Sequence, residues 1–326
     1  MNQGLPELPL AGAVLPIARY RFHARVDDEL QLPPYAGSLL RGQFGAALRH
    51  LACMTRQPSC SGCPLQSTCP YPLIFEAPPP QAHELQRFSA IPNAYVVEPP
   101  SPITSAAAAK EHPVLQPGDT LQFHMVLIGH ALQQLPLIVI AWQRALHHGL
   151  TRARSRAELT EVQWLDADGA AHTVWTAEHP RVQAHPAVLA LPPVPPATES
   201  LQLQLHTPLR LQHQGQPLRP QQLSARTLLS AVARRAALVL EFHAGQPQWG
   251  THVPATTALA EQLSDQRELH WFDWKRFSSR QQREMTLGGV LGQWLHVGKN
   301  ASFGLGGYAL AASSSPCVPR CAQACP

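Results

Sequence analysis

Apolar and polar positions first form a readable pattern at residues 16–26, "PIARYRFHARV", where β-rich composition and imperfect alternation predict a strand. In "PPYAGSLLRGQFGAALRHLAC" (33–53) the period changes: Leu39, Leu40, Phe44, Ala47, Leu48 and Leu51 recur at spacings of three and four, predicting an amphipathic helix behind two prolines. "LQFHMVLIG" (121–129) reads as a strand, and "LPLIVIAWQRALHHG" (135–149) as a helix closed by Gly149. "AELTEVQWLDADGAAHTVWT" (157–176) predicts two strands joined by an Asp-Gly turn.

The pattern then starts again. "LQLQLHTPLRLQH" (201–213) alternates as a strand, and "PQQLSARTLLSAVARRAALVLEFHAG" (220–245) is a long helix closed by Gly245. "ELHWFDWKRF" (268–277), "TLGGVLGQWLHV" (286–297) and "YALAA" (308–312) read as further strands. Strand, helix, strand and then a basic or glycine-rich loop before another strand thus occur in both halves. This weak internal repeat predicts an α+β protein of two tandem ferredoxin-like domains. The first spans 1–186, with a cysteine-rich insertion at about 53–76; the second spans 201–312. Residues 187–200, "AVLALPPVPPATES", read as a proline-rich linker, and 313–326 as a disordered tail.

Composition narrows the function classes. With 44% hydrophobic and 14% charged residues in 326, most of the chain has apolar content enough for packed cores, and 33 prolines imply many turns. The apolar run "LPLIVIAW" (135–142) is far short of a membrane span. The N-terminus lacks the basic start and apolar core of a signal peptide, so a cytoplasmic protein is expected. The net charge of +4 permits a polyanionic partner without requiring one. Arginines gather in "TRARSRAEL" (151–159), "ARRAA" (233–237) and "WKRFSSRQQR" (274–283). Each cluster alone reads as a solvated face, while three in a charge-poor chain point equally to a polyanion surface.

"HVGKNASFGLGGYAL" (296–310) places Gly298, Gly304, Gly306 and Gly307 beside His296 and Lys299. Such a run suits a tight turn or the approach of a phosphate to backbone N–H groups. It is not a Walker A loop, because Gly298-Lys299 is followed by Asn300 and position 293 is Gln. It feeds a strand rather than a helix, which argues against a dinucleotide fingerprint.

Cys53, Cys60, Cys63 and Cys69 have the spacing C-x6-C-x2-C-x5-C. In a reducing compartment four such thiols favour tetrahedral zinc of a structural kind, with an iron–sulfur cluster as chemical rival and unliganded thiols as the plain alternative.

"WFDWKRFSSRQQREMTLGGVLG" (271–292), "LHVGKNASFGLGGYAL" (295–310), "GSLLRGQFGAALRHLAC" with the cysteines, and "CPYPLIFE" (69–76) occur in an order that resembles the CRISPR pre-crRNA-processing endoribonucleases of the RAMP superfamily. The likeness is loose at about 77–120 and 177–200, and "GQWL" (292–295) leaves room for at most a turn where members commonly carry a helix before the final loop, so the resemblance implies an incomplete second ferredoxin-like domain. The resemblance implies binding of CRISPR repeat RNA, cleavage by its own 2′-hydroxyl without a catalytic metal, and retention of the crRNA product. The alternative is a non-catalytic RAMP subunit holding crRNA in an effector complex.

It also implies a catalytic histidine on or beside the first helix with Tyr or Lys support, which nominates His50, Tyr35, Arg41, His296 and Lys299. Histidine suits proton transfer near neutrality, and Lys or Arg suits a developing phosphorane. His50 reads equally as a helix-end histidine favoured by the dipole. Arg152, Arg154, Arg156, Arg234, Arg235, Lys275, Arg276 and Arg280, with the four loop glycines, are the candidate RNA contacts.

Overall fold

The computed structural model describes residues 14–78, 91–100, 113–190, 201–263, 265, 267–278, 283–292 and 308–312. The N-terminal domain runs β1 (Ile17–Val26), α1 (Gly37–Ala52), α2 (Pro70–Phe75), β2 (Tyr95–Glu98), β3 (Thr120–Ile128), α3 (Leu135–His148), β4 (Ala157–Leu165) and β5 (Ala171–Thr176). Its strands form one sheet in the order β2-β3-β1-β4-β5, with antiparallel neighbours throughout. Without β5 this is the ferredoxin-like order, in which α1 and α3 connect strands that are not neighbours.

Alternation along β1 decides which face they cover. Tyr20, Phe22, Ala24 and Val26 are buried, whereas Arg19, Arg21, His23 and Arg25 alternate with them on the other face. Leu40, Phe44 and Leu48 of α1 and Ile138, Trp142 and Leu146 of α3 close the core against that apolar face. Trp142 stacks on Phe44 with ring centroids 5.1 Å apart and lies 4.5 Å from Phe123. Its indole N–H finds Met125 Sδ at 3.4 Å.

α1 starts at Gly37, four residues inside its predicted span, and α3 ends before Gly149 as expected. The Asp-Gly turn between β4 and β5 also forms: Asp166 accepts from the backbone N–H of Asp168 and Ala170, and Gly169 N–H closes onto the Asp166 carbonyl at 3.1 Å.

The C-terminal domain runs β6 (Leu201–Leu209), α4 (Ala225–Ala244), α5 (His252–Ala260), β7 (Trp271–Ser278), β8 (Arg283–Gly292) and β9 (Tyr308–Ala312). Its sheet order, β7-β8-β6-β9, is that of the first domain's β2-β3-β1-β4. The internal repeat is therefore a repeat of topology. Ser224 caps α4 by accepting from Thr227 N–H, and Gly245 ends it at φ 67°. The segment 293–307, with the glycine loop, and the tail 313–326 lie outside the described residues, as does 191–200 of the linker.

The two domains meet through α4. Its His243 packs on the 3-10 turn Gly129–Gln134, with the His130 and His243 rings 5.0 Å apart. Gly129 has φ 57°, and a Cβ there would overlap the His243 carbonyl. Only glycine combines that backbone with so close an approach. A second contact sets Trp274 of β7 edge-on to Tyr35, 5.7 Å between centroids.

Candidate active site between two helices

The exposed surface between α1 and α3 contains an open groove of about 230 Å³. From α1, Gln43, Ala46, Ala47 and His50 line it, the i, i+3, i+4, i+7 face of a helix. Arg144, Ala145 and His148 line it from α3. Small side chains at the centre leave room between the helices, and His50, Arg144 and His148 are all exposed at its rim. Among the described residues, neither His50 nor Arg144 makes a hydrogen bond or ion pair. His50 and His148 stand in the last turns of their helices, where the partial negative charge of the helix end favours cations. Two imidazoles and a guanidinium facing one groove can hold a phosphate and exchange protons with its neighbours.

The other nominated catalytic groups lie elsewhere. Tyr35 sits before the start of α1 and His50 near its end, about 20 Å along the axis at 1.5 Å per residue. Tyr35 is buried at 3% exposure, and burial, with the Glu98 charge adding to it, pushes its phenol well above the ordinary value. Arg41 precedes His50 by nine residues, two and a half turns, and so projects from the opposite side of α1. There its guanidinium lies 4.1 Å from the centroid of the Phe75 ring. His296 and Lys299 lie outside the described residues, as do Gly298, Gly304, Gly306, Gly307 and Arg280.

The basic clusters divide in the same way. Arg152 and Arg154 are exposed in the turn after α3. Arg156 is engaged: its Nε donates to Asp28 at 3.0 Å, and those hydrogen bonds hold the Asp28 carboxyl low. Arg234 is exposed on α4 and Arg235 partly buried beside it. Lys275 and Arg276 belong to β7, their side chains outside the described ones.

A further polar group lies on the open face of the N-terminal sheet. Arg21 Nε donates to His124 Nε2 at 3.3 Å, and His23 Nε2 and Gln163 Oε1 are 3.3 Å apart. Burial, then the Arg19 charge, lowers His124 to about 4, so it is neutral at pH 7 and accepts from Arg21.

The four cysteines of the loop between α1 and α2 are all free thiols. All four line one cavity of about 20 Å³. As placed, the described residues hold no group of three or more His, Cys, Asp or Glu side chains drawn together as a metal site. No described helix is long and apolar enough to cross a membrane.

Arg144 and His148 fall within the helix predicted over 135–149 and are not among the nominated site residues. Their spacing of four on an exposed face was the available signal, but only the packing of α3 on α1 brings them to His50.

Two α+β domains of matching ferredoxin-like strand order, joined by a proline-rich segment, define the class of protein. Comparison with known families carries this further. Residues 15–187, more than half of the chain, match the N-terminal domain AF_1859_N, and residues 203–308 match CRISPR-associated endoribonuclease Cas6. The Cas6 match covers the C-terminal domain, about a third of the chain. No curated protein matches it. Among solved structures it is similar to a partial Cas6-RT-Cas1–Cas2 complex, at 15% identity and TM-score 0.46 over 94% of this chain and 47% of that one. A Cas6 product complex is similar at 15% identity and TM-score 0.45, over 85% of this chain and 82% of that one. A RAMP protein binding different RNA substrates gives 8% identity and TM-score 0.39, over 90% and 99%. The chain spans about half the length of the first of these.

Proposed function

We propose that this protein binds CRISPR repeat RNA and cleaves it through the RNA's own 2′-hydroxyl, at a phosphate held in the groove between α1 and α3. The observation that carries the reading is the meeting of His50, Arg144 and His148 around one open groove, in a chain whose residues 203–308 match the Cas6 model. One imidazole, neutral, removes the 2′ proton as that oxygen attacks phosphorus. The other, protonated, gives its proton to the departing 5′ oxygen. The products are a 2′,3′-cyclic phosphate and a 5′-hydroxyl. Arg144 neutralises the phosphorane, in which negative charge peaks. The exposed Arg152 and Arg154, in the turn directly after α3, extend a basic path for the backbone. Other CRISPR proteins are the partners that this activity calls for.

The test incubates purified protein with its labelled repeat RNA in EDTA, beside a copy whose 2′-hydroxyl at the cut site is replaced by hydrogen. Cleavage of the first and not the second supports 2′-hydroxyl chemistry without metal. Loss of that cleavage in His50→Ala, His148→Ala or Arg144→Ala, with binding kept, supports the groove. Tight binding without cleavage of either RNA supports instead a RAMP subunit that holds crRNA. Retention of the cut RNA after the reaction, read by filter binding, tests product capture.

A further inference from the structure

The loop between α1 and α2 is built inside out. Of residues 54–68 all are exposed except Cys60, Cys63 and Gln66, and the flanking Cys53 and Cys69 are likewise partly buried. Its large apolar side chains face water: Met54 is 84% exposed and Leu65 37%. A loop held by apolar packing turns its methionine and leucine inward and leaves cysteine where it falls. Here the thiols point in and the hydrophobes point out. Something other than apolar burial must offset the entropy of ordering it.

The backbone path suits a metal ligand set. Cys60 and Cys63 bracket a tight turn in which Cys63 N–H donates to the Cys60 carbonyl at 3.1 Å, with Gly62 at φ 77°. Cys53 caps the C-terminus of α1, and Cys69 the N-terminus of α2. The Thr55 hydroxyl lies 3.5 Å from Cys63 Sγ and 3.9 Å from Cys53 Sγ, so a single side chain spans two of the thiols. The cavity they line, about 20 Å³, has room for one water-sized occupant.

We infer that Cys53, Cys60, Cys63 and Cys69 bind one zinc ion as four thiolates, tying the end of α1 to the start of α2. In the present placement the sulfurs line the cavity without closing on its centre. Closure onto an ion at about 2.3 Å requires the four sulfurs to rotate toward that centre. A closed four-sulfur shell leaves zinc no open position, so the role is structural. Single-ion capacity favours zinc over a multi-iron cluster. The consequence for the groove is positional, because Cys53 follows His50 by three residues.

The experiment uses the full chain, expressed in medium containing both zinc and iron and purified without chelator. Elemental analysis should find one zinc per chain. The Cys60→Ser/Cys63→Ser pair should lose at least tenfold of it, whereas Cys317→Ser/Cys321→Ser/Cys325→Ser, which removes the three further cysteines of the C-terminal "CVPRCAQACP" (317–326), should keep it. If the Cys60/Cys63 pair fails to fold, cobalt exchange into the unmutated protein decides. Intense sulfur-to-cobalt charge transfer with tetrahedral d–d bands supports four thiolates, and octahedral, weakly absorbing cobalt overturns them. Absence of metal, iron with acid-labile sulfide, or zinc retained by a folded Cys60/Cys63 pair also overturns the inference. None of these readouts depends on RNA.

Discussion

Acid should loosen the junction between the two domains, and His243 should account for a defined share of the loss. His243 is 5% exposed, its Nε2 donates to the Pro92 carbonyl, and its Nδ1 is buried without a partner. A second proton would have to sit on that Nδ1. Burial chiefly, with the nearby His130 and Arg235 charges, lowers its pKa from 6.5 to about 4, against a raising effect of the Pro92 bond. Above pH 6.5 the ring is neutral folded or unfolded and contributes no pH dependence. As pH falls from about 6.5 to about 4 the unfolded chain takes up the proton first, so stability falls. From those two values the loss at pH 5 is about 2 kcal/mol. Urea unfolding followed by circular dichroism at pH 7.5 and pH 5 should show it. His243→Gln, which can still donate to Pro92 but does not titrate, should have a pH dependence shallower by about that amount. His124 shares the direction of shift but is present in both proteins, so it cancels. Equal pH dependence in the two would refute the reasoning.

Gly129→Ala should cost about 2 kcal/mol or more, from the positive φ and the overlap with His243, and should raise hydrogen exchange in α4 before it does so in the first sheet. Gly45→Ala drives a methyl into the Phe75 ring and should destabilise by about 1–3 kcal/mol, measured by thermal melting, while a change at the open Gly42 should cost far less. His50→Ala removes an exposed side chain and should move stability by no more than about 0.5 kcal/mol, yet slow repeat-RNA cleavage by about 10²–10⁴-fold in single-turnover assays.

The helices with complete local signals were the most legible in sequence. α3 carries an apolar stripe with a stop at Gly149, and α4 combines a Ser224 cap with Gly245. β2 escaped because four residues between prolines carry too little period. α2 escaped because its six residues open with Pro70 directly after the cysteines. In the groove, His50 could be placed on α1 from periodicity alone. The same periodicity already separates it from Arg41, since nine residues is half a turn out of phase. Arg144 and His148 could not be joined to it, because nothing local records that α1 and α3 lie side by side.

The strand order has a consequence for synthesis on the ribosome. Every strand of the first sheet precedes Ala177, so that domain can close while the rest of the chain is still being made. β6 is different. It lies between β8 and β9, and its register with β9 pairs Leu201 with Ala312. Translation must therefore pass Ala312 before β6 has both neighbours. Until then one edge of β6 is an open template for another nascent chain. A message truncated before Tyr308 would yield a folded first half attached to an unsealed second one, a product prone to aggregate on a polysome rather than a simple loss-of-function fragment.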